Sequence, residues 1–397
     1  MQTSTQPQSP ENPLSSIPWW NDLTPAVRAE LALPDIRTLS AQTVDVIVIG
    51  GGVAGLSAAL SARQTGARVL LLEKEAMFGC GATGRNAGIL SAGINMHLAD
   101  LDSHGPEAAF WPETTRVLLS LVREAALPDA LLSASLTGSL SLAESAAAAR
   151  KLTREARART AAGLRAEIWT PAQVAEATHG RLNTSSVVNA LWLPNEGRIQ
   201  PLSLLAHLAR QARTAGVILA GQAEVQDYDE IHGCATNYHW RLTLAGGIII
   251  GTRHLILAVG PTAEANARIY ALAFAADLPD TFPLFWDASP YTYTDFRPGN
   301  GRLTVSGGRY GKAGVTRHDA AYHKRLANAG RHWLPELAGK EPAYTWAVDL
   351  AVTADMIPTL RPLGERATGV AIEGLGALGV LPGIVLGEKA GMAIELP

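Results

Sequence analysis

The chain has 397 residues, enough for two or three domains at roughly 150 residues each. Hydrophobic residues make up 47 % and charged residues 17 %, a balance that excludes a disordered chain. The formal net charge of −3 supplies no basic field for nucleic acid or an anionic membrane. The two cysteines cannot form a disulfide framework, and they lack the spacing of metal ligands. So few cysteines are typical of a protein from a reducing compartment.

The N-terminal segment 1–43 is predicted to be an extended lead-in that Trp19 and Trp20 fix to the body of the protein. Its polar start lacks the apolar core of a signal peptide. The most apolar stretches of the chain, Val44–Gly52 and Gly246–Gly260, are too short for a membrane span. These features predict a cytoplasmic protein without a membrane span.

A strand–helix–strand unit opens the folded part of the chain. Val44–Ile49 is short, β-branched and almost free of polar residues, which predicts a buried strand. An alanine-rich helix is expected over Leu56–Thr65, and a second buried strand over Ala67–Leu72 ends at Glu73. The turn between the first strand and the helix, Gly50–Gly55, matches the G-x-G-x-x-G pattern of dinucleotide-binding folds.

Each part of this motif has a physical reason. Gly50 makes the tight turn, Gly52 lets a pyrophosphate approach the backbone, and Gly55 allows helix and strand to pack closely. The N-terminus of the helix offers amides and a partial positive charge to phosphates. Glu73 can accept ribose hydroxyls, and its charge would repel a 2′-phosphate. The motif therefore predicts a dinucleotide site; a purely structural glycine turn is the alternative.

The rest of the chain is predicted to alternate between helical and stranded segments. The region 105–180 is expected to be mainly helical, with an exposed helix over Ser145–Arg159, and Pro201 opens a further helix through Thr214. The later predicted elements are strands over Val217–Tyr228, His239–Leu244, Gly247–Ile250 and His254–Val259, a β-hairpin of Pro290–Phe296 and Arg302–Gly307 with the loop Arg297–Gly301, a helix over 319–333, a strand over Gly369–Glu373, and a glycine-rich loop, Gly374–Gly383, that leads into a terminal helix through Ala393.

A second glycine-rich loop, Phe78–Gly93, follows Glu73 and reads FGCGATGRNAGILSAG. A small-residue loop that carries Arg85 and Asn86 directly after the second strand is not needed by a nicotinamide enzyme. The loop resembles the S/T-G-R-N-G/A-G segment of the FAD-dependent amine and D-amino acid oxidoreductases, the family of glycine oxidase, sarcosine oxidase and γ-glutamylputrescine oxidase. The resemblance implies FAD as the cofactor; an ordinary glycine- and alanine-rich loop is the alternative.

Later segments agree with this resemblance in the family's order. Asn195–Pro201 is similar to a G-x-I/L-x-P lead into a helix, and Val217–Val225 to the strand whose backbone meets the adenine. Leu255–Pro261 resembles an A-x-G turn near the cofactor, and Thr353–Pro358 resembles the start of the segment that covers the flavin. The resemblance implies FAD contacts at Gly50, Gly52, Val53, Ala54, Gly55, Glu73, Lys74, Gly81, Ala82, Thr83, Arg85, Asn86, Ala87, Gly88, Ile89, Val225, Ala258, Gly260, Gly376, Ala377, Leu378, Gly379, Val380 and Leu381.

The implied fold is of the α/β class. A Rossmann-like FAD-binding domain is expected to interleave with an α+β substrate domain that contains a mainly antiparallel sheet. The implied FAD-binding domain takes residues 44–104, 186–275 and 350–397, and the substrate domain takes 105–185 and 276–349. A helix that begins near Pro382 would direct its N-terminus at the loop 376–381 and stabilise negative charge on reduced flavin.

FAD is expected to be bound without a covalent link. Sarcosine oxidase-like relatives attach FAD to a cysteine in the C-terminal third of the chain, and this sequence has no cysteine there. Cys80, in the second glycine-rich loop, is the one cysteine that could form such a link, and a small packed side chain is the simpler interpretation.

The resemblance implies oxidation of a carbon–hydrogen bond next to an amine nitrogen of a small amine or amino acid. The imine product would hydrolyse to a carbonyl, and the electrons would pass to dioxygen or another acceptor. Candidate substrate-side residues are Tyr291 and Tyr293, which share one strand face, then Arg309 and Trp346. Tyr293 is the better match to a substrate-lining tyrosine of glycine oxidase-like relatives, and sheet packing is its alternative role.

One departure concerns the substrate carboxylate. Amino acid oxidases of this group usually carry an arginine three residues before the position of Thr353, and this chain has Leu350 there. Either Arg309 or Arg302 takes that role, or the substrate is not a simple α-amino acid, and the second alternative is preferred. Other classes also stay open: a flavoprotein hydroxylase, whose late G-D motif is missing, a reductase, whose second G-x-G-x-x-G is missing, and a non-catalytic flavin-binding protein.

Overall fold

The structure, a computed structural model, describes residues 16–39, 43–102, 105–232, 238–259, 265–287 and 294–394. The α-helices of these ranges are α1 (Pro18–Asn21), α2 (Pro25–Leu31), α3 (Val53–Gln64), α4 (Phe110–Ala125), α5 (Ala146–Ala161), α6 (Pro171–Ala177), α7 (Pro201–Ala215), α8 (Asp319–Trp333) and α9 (Val380–Met392). None of them is long and apolar enough to cross a membrane.

The strands of the same ranges form four sheets, which contain six, eight, three and three strands. They are β1 (Val46–Ile49), β2 (Val69–Leu72), β3 (Ile89–Leu90), β4 (Ala134–Leu136), β5 (Ser139–Ala143), β6 (Glu167–Trp169), β7 (Asn189–Leu193), β8 (Gly197–Ile199), β9 (Ile218–Ala220), β10 (Val225–Glu230), β11 (Trp240–Leu244), β12 (Ile249–Thr252), β13 (His254–Leu257), β14 (Ala267–Ala275), β15 (Leu284–Asp287), β16 (Thr294–Gly299), β17 (Arg302–Lys312), β18 (Tyr344–Leu350), β19 (Thr359–Leu363) and β20 (Gly369–Glu373).

The six-stranded sheet has the order β19-β20-β13-β1-β2-β9 and is parallel except for its edge strand β19. Val46 and Val48 of β1 pack in the same core as helices α3, α7 and α9. Ile47 and Ile49 face the other side, where they share a core with Trp240 and neighbours from β11. Both faces of the strand are therefore covered, which explains its uninterrupted apolar sequence. The predicted strand–helix–strand unit is confirmed as β1, α3 and β2.

The eight-stranded sheet has the order β18-β14-β17-β16-β15-β5-β7-β6, with antiparallel neighbours except for the parallel pair β5 and β15. The predicted hairpin is β16 and β17, but its loop is shorter than expected. Asn300 and Gly301 form the turn and have positive φ angles of 57° and 67°. Positive φ at both central residues is what a type I′ two-residue hairpin turn requires. Strand β16 therefore continues to Gly299, and the predicted loop Arg297–Gly301 is wrong at its start.

Other predicted elements differ from the structure because packing overrides local pattern. The predicted strand Val217–Tyr228 is two strands of different sheets, β9 and β10, separated at Gly221 and Gln222. A Cβ at Gly221 would lie 2.7 Å from Leu33 Cβ, and Gln222 has a positive φ of 52°. The region 105–180 contains β4, β5 and β6 as well as helices, and the terminal helix begins at Val380 rather than near Pro382.

The N-terminal segment is anchored through its tryptophans, as predicted, although it contains α1 and α2 rather than extended chain only. Trp19 is fully buried, and its Nε1 donates a hydrogen bond to the carbonyl of Asn86 at 2.9 Å. The guanidinium of Arg297 lies 4.7 Å from the centroid of the Trp19 ring. The lead-in therefore packs directly on the second glycine-rich loop.

Each of the two large sheets takes its strands from separated parts of the chain. The six-stranded sheet takes its strands from three separated parts of the chain, 46–72, 218–257 and 359–373. Strands β7 and β14 belong to the eight-stranded sheet, although the predicted segment 186–275 assigned both to the FAD-binding domain. We propose that the six-stranded sheet with its helices is the cofactor domain and that the eight-stranded sheet is the substrate domain.

Candidate functional site

A cavity of about 650 Å³ lies where the carboxyl ends of β1 and β2 face the eight-stranded sheet. Its volume lies within the range of ligand sites. One side is formed by the two glycine-rich loops and the segment before α9, and the other by residues of β14, β16, β17 and β18. Ligands of open α/β sheets bind at this end of the parallel strands.

The first glycine turn has the geometry that its sequence predicts. Gly50 has a φ of 105°, and a Cβ there would lie 2.5 Å from the carbonyl oxygen of Ala258. A Cβ at Gly55 would lie 1.9 Å from the carbonyl oxygen of Gly50, so only glycine allows this contact between helix and turn. Gly52 precedes α3 without a side-chain cap, which leaves amides of the first helical turn for an anion in the cavity.

Glu73 lies at the end of β2 and lines the cavity beside this turn. Its Oε2 accepts a hydrogen bond from the Gly51 amide at 2.8 Å, and its Oε1 accepts one from the Glu75 amide at 3.2 Å. The carboxylate is therefore held at the glycine turn, next to the N-terminus of α3. A carboxylate at this place is the usual acceptor for ribose hydroxyls in dinucleotide-binding folds.

The second glycine-rich loop is held by its own polar groups. Asn86 Nδ2 donates to the carbonyl of Thr83 at 2.5 Å, and Asn86 Oδ1 accepts from the Gly88 amide at 2.7 Å. The carbonyl of Arg85 accepts a hydrogen bond from Trp346 Nε1 at 2.8 Å, which ties the loop to the eight-stranded sheet. Arg85 Nε is buried without a hydrogen-bond partner among the described residues, a donor suited to an anionic ligand.

The C-terminal loop closes the cofactor side of the cavity. Gly376 has a positive φ of 54°, and the residues from Gly376 to Leu381 all line the cavity. Helix α9 begins at Val380 behind Gly379, which supplies no side-chain cap, so a second helix N-terminus offers its amides here. We propose that this end stabilises negative charge on reduced flavin.

The wall formed by the eight-stranded sheet carries a half-buried acid. Asp295 of β16 lines the cavity and accepts a hydrogen bond from the hydroxyl of Ser306, its cross-strand neighbour on β17. Burial raises the pKa of Asp295 to about 6 against the hydrogen bonds that it accepts. Tyr310 and Asn95 lie in the same wall, and burial raises the pKa of Tyr310 although a hydrogen bond with Asn95 opposes the shift.

Most of the predicted site residues meet in this one cavity. Gly55 and Gly88 do not line it: they pack behind it, where a Cβ would collide with the carbonyl oxygens of Gly50 and Ile199. Tyr291, Tyr293 and Gly260 lie outside the described residues. The predicted residues that do line the cavity are Gly50, Gly52, Val53, Ala54, Glu73, Lys74, Gly81, Ala82, Thr83, Arg85, Asn86, Ala87, Ile89, Val225, Ala258, Trp346, Gly376, Ala377, Leu378, Gly379, Val380 and Leu381.

Two arginines considered for the substrate carboxylate lie elsewhere. Arg309 is exposed and does not line the cavity, although its neighbours Gly308 and Tyr310 do, because successive strand residues face opposite sides. Arg302 also lies outside the cavity lining, and its guanidinium pairs with the carboxylate of Asp22, with one contact of 2.7 Å. The hypothesis that either arginine faces the cavity is therefore wrong.

The sequence analysis did not single out Asp295 or Asn95. A signal for Asp295 was present, because it lies two residues after Tyr293 and so belongs to the same face of the strand. Asn95 carried no such signal: it follows the second glycine-rich loop in a segment without periodicity.

Comparisons with known proteins agree with this architecture. The family model described as FAD dependent oxidoreductase matches residues 45–391. The chain belongs to this family. FAD is therefore the cofactor, and redox chemistry on a small molecule is the class of reaction.

Individual relatives match in two ways. A glycerol 3-phosphate oxidase of Mycoplasma genitalium is 44 % identical over 54 residues, 14 % of each chain. A gamma-glutamylputrescine oxidoreductase of Escherichia coli (strain K12) is 40 % identical over 82 residues, 21 % of this chain and 18 % of that protein. These matches span a small part of the curated relatives. The crystal structure of glycine oxidase from Geobacillus kaustophilus covers 89 % of this chain and 93 % of its own at a TM-score of 0.71 and 22 % identity, which shows the same fold.

The residues of the cavity suit FAD. The first glycine turn keeps its close-packed shape only without side chains, because a Cβ at Gly50 would collide with the carbonyl oxygen of Ala258. The N-terminus of α3, which has no side-chain cap, and the buried Nε of Arg85 provide donors for a pyrophosphate, and the N-terminus of α9, also without a side-chain cap, provides amides for the flavin end. We propose that α3, Glu73 and the second glycine-rich loop hold the dinucleotide, and that the segment 376–381 covers the flavin.

We expect FAD to leave the protein when the fold is destroyed by acid, because among the described residues no cysteine lines the cavity. Cys80 does not line the cavity, and burial raises the pKa of its thiol, as do the nearby Glu75 and Glu73. Acid precipitation should transfer all yellow colour to the supernatant. Colour that stays in the pellet of the wild type, and leaves the pellet of Cys80→Ser, would show a covalent flavin instead.

Proposed function

We propose that the protein oxidises a carbon–nitrogen bond of a small amine or amino acid. The supporting observation is that the glycine-rich loops proposed to hold FAD and the wall of the eight-stranded sheet line the same cavity. Among the described residues, this wall shows no group of side chains typical of a hydrolase or a metal site. Relatives by sequence and fold include a gamma-glutamylputrescine oxidoreductase and a glycine oxidase, and both names describe oxidation of amino compounds.

The reaction balances without a protein nucleophile. FAD, which α3, Glu73 and the second glycine-rich loop would hold, would supply the acceptor for a hydride equivalent from the substrate. The substrate C–H bond breaks with its electron pair, the nitrogen lone pair forms the C=N bond, and a proton leaves the nitrogen. Water then adds to the imine carbon, and ammonia or an amine departs from the resulting carbonyl product. The protein must therefore hold a neutral amine nitrogen with its carbon correctly placed.

Trp346 fixes the position of the wall against which the substrate would lie. Its ring is largely buried, its Nε1 donates to the carbonyl of Arg85, and its own carbonyl lies 2.9 Å from His323 Nε2. Val348 and Leu350 continue the same strand with apolar side chains that line the cavity. This wall excludes water from the reacting carbon and is joined directly to the second glycine-rich loop.

The test is anaerobic reduction of the purified yellow protein by a panel of amines and amino acids. Loss of the flavin colour with at least one compound is expected, followed by recovery of the colour in air. Peroxide formed during recovery would identify dioxygen as the acceptor, and its absence would indicate another acceptor. Dithionite reduction serves as the control that the flavin can be reduced. Colour that persists with every amine and amino acid would contradict the proposal and favour a non-catalytic flavin-binding protein.

A further inference from the structure

The charges that line the cavity are unevenly distributed. Among the described residues, its basic side chains are Lys74 and Arg85, and both belong to the cofactor side. The wall formed by the eight-stranded sheet contributes two carboxylates, Asp295 and Asp349, and no lysine or arginine. Asp349 shares Arg268 with Asp319: the NH1 group of Arg268 lies 2.9 Å from Asp349 Oδ1, and its NH2 group lies 2.8 Å from Asp319 Oδ2. Among the described residues, Asp295 is therefore the carboxylate of the substrate wall that has no paired cation.

Asp295 lies among neutral donors. It accepts hydrogen bonds from the hydroxyl and backbone amide of Ser306 and from its own amide. No lysine, arginine or histidine of the described ranges lies within ion-pair distance of it, and the residues outside those ranges contain no lysine or arginine. Asp287 of β15 carries a charge of the same sign and contributes to the raised pKa of Asp295. A half-buried carboxylate in these surroundings lacks the cation that would normally accompany it.

The chemistry of the wall defines what can lie against it. An ammonium group brings the missing positive charge and N–H donors, and Tyr310 and Asn95 in the same wall offer neutral oxygens to further donors. A substrate carboxylate would instead meet Asp295 without a counter-charge, which is unfavourable in a cavity of low dielectric. Leu350 lines this wall as an apolar side chain and supplies no counter-charge for a substrate carboxylate.

We propose that Asp295 pairs with the ammonium group of the substrate on binding and then takes up its proton, which leaves the neutral amine that the proposed oxidation requires, so that the cavity selects basic amines that lack a neighbouring carboxylate. This inference rests on the proposed function and names the substrate class of the same site. Asp295 would then determine specificity, and Ser306 would hold its carboxylate towards the cavity.

The binding test uses the holoenzyme without oxygen, with the flavin absorbance as the reporter and three probes of matched carbon skeleton. Butylamine carries the ammonium group, 2-aminopentanoate adds a carboxylate beside it, and 1-butanol has no charge. We expect butylamine to bind at least tenfold more tightly than the other two, and Asp295→Asn to weaken it ten- to a hundredfold. Asp287→Asn is the matched control: it removes a neighbouring half-buried carboxylate that does not line the cavity, and should change binding less than threefold.

A stability measurement separates recognition from a structural role. Asp295 is packed against Asp287 of β15 and against Ser306 and Tyr310 of β17, none of which is a cation. Its pKa is raised to about 6 in the folded state, so ionisation destabilises the fold as pH rises from about 4 through 6. Asp295→Asn should therefore resist urea better than the wild type at pH 8, and this advantage should disappear at pH 4. A purely structural aspartate would make the variant less stable at both pH values.

The two proposals fail in different ways. If butylamine bleaches the flavin and Asp295→Asn binds it as well as the wild type, the assignment of Asp295 is wrong and the proposed function stands. If butylamine perturbs the flavin spectrum in an Asp295-dependent manner and no amine or amino acid ever bleaches it, the proposed oxidation is wrong and the recognition of a cation stands. Tighter binding of 2-aminopentanoate than of butylamine would also overturn the assignment.

Discussion

Replacing Arg159 by methionine is expected to destabilise the protein by about 3–5 kcal/mol, because two buried carboxylates would lose their cation. Arg159 is 3 % exposed. Its Nε donates to Glu155 Oε1 at 2.7 Å, and its NH1 group donates to Glu196 Oε1 at 3.2 Å. The measurement is urea unfolding at neutral pH, followed by circular dichroism and by flavin fluorescence.

This cluster connects α5 to the cavity. Glu196 also accepts hydrogen bonds from the hydroxyls of Ser91 at 3.0 Å and Ser139 at 2.7 Å, and Ser91 lines the cavity. Glu155 accepts a further bond from the Ala99 amide at 2.9 Å. Loss of the arginine would leave Glu196 with the two serine hydroxyls and Glu155 with the Ala99 amide and His97, and the segment around Ser91 would lose its fixed position. Weaker FAD binding should therefore accompany the loss of stability.

Arg154→Met is the matched control for this prediction. Arg154 lies on the same helix, is exposed, and pairs with Asp100 at the surface with a distance of 3.0 Å. Its removal should change stability by no more than about 1 kcal/mol. Neutralising the orphaned acids in the triple variant E155Q/R159M/E196Q should recover a large part of the lost stability. Equal effects of Arg159→Met and Arg154→Met would show that the buried cluster contributes no more than a surface pair.

The same cluster predicts how the difference in stability between wild type and Arg159→Met depends on pH. Burial alone would raise the pKa of Glu155, but the hydrogen bond with His97 and the charge of Arg159 hold it at about 2. A lowered carboxylate pKa contributes stability above the ordinary value of 4.5, and this contribution is lost as pH falls towards 2. The free energy of unfolding of the wild type should therefore exceed that of the variant most at neutral pH, and this difference should narrow on acidification. A gap that widens below pH 4 would contradict the assigned charges.

The cofactor half of the molecule could be predicted because its determinants are local. Strand β1 reads as buried from its own residues, and the spacing Gly50, Gly52, Gly55 encodes the turn that the structure shows. The break between β9 and β10 could not be predicted, because it depends on the approach of Leu33 to Gly221, residues far apart in the chain. Nor did the charge-rich sequence of α5 show which of its side chains are buried, since Glu196, the partner of Arg159, lies on another element.

The substrate wall was less predictable, because it is assembled from several strands. Alternation along β16 could have revealed Asp295 from the expected position of Tyr293, but whether the face points to a cavity depends on the whole sheet. The same uncertainty produced the wrong placement of Arg309, whose face of β17 is exposed. The sequence shows leucine rather than arginine at position 350. What this implies for the charge of the substrate depends on the charged side chains that other strands contribute to the same wall.

Replacing Gly387 by valine is expected to have the other large effect, because α9 packs on α3 through glycines. A Cβ at Gly387 would lie 2.4 Å from the carbonyl oxygen of Ala54, and a Cβ at Gly391 would lie 2.4 Å from that of Ala58. Backbone atoms cannot turn aside as a side chain can, so the two helices must separate. Overpacking of this kind costs about 1–3 kcal/mol or more. Urea unfolding of the FAD-loaded protein would measure it.

The displacement should also weaken the binding of FAD, because Ala54 belongs to the first turn of α3, which lines the cavity. We expect Gly387→Val to weaken FAD binding at least tenfold, measured by equilibrium titration of the stripped protein with FAD. Gly383→Ala is the matched control on the same helix: its Cβ would lie 3.3 Å from Val53 Cγ2, a side-chain atom that can move, and alanine favours a helix over glycine. Normal FAD affinity in Gly387→Val would mean that α3 keeps its position without this close contact, and that α9 alone adjusts.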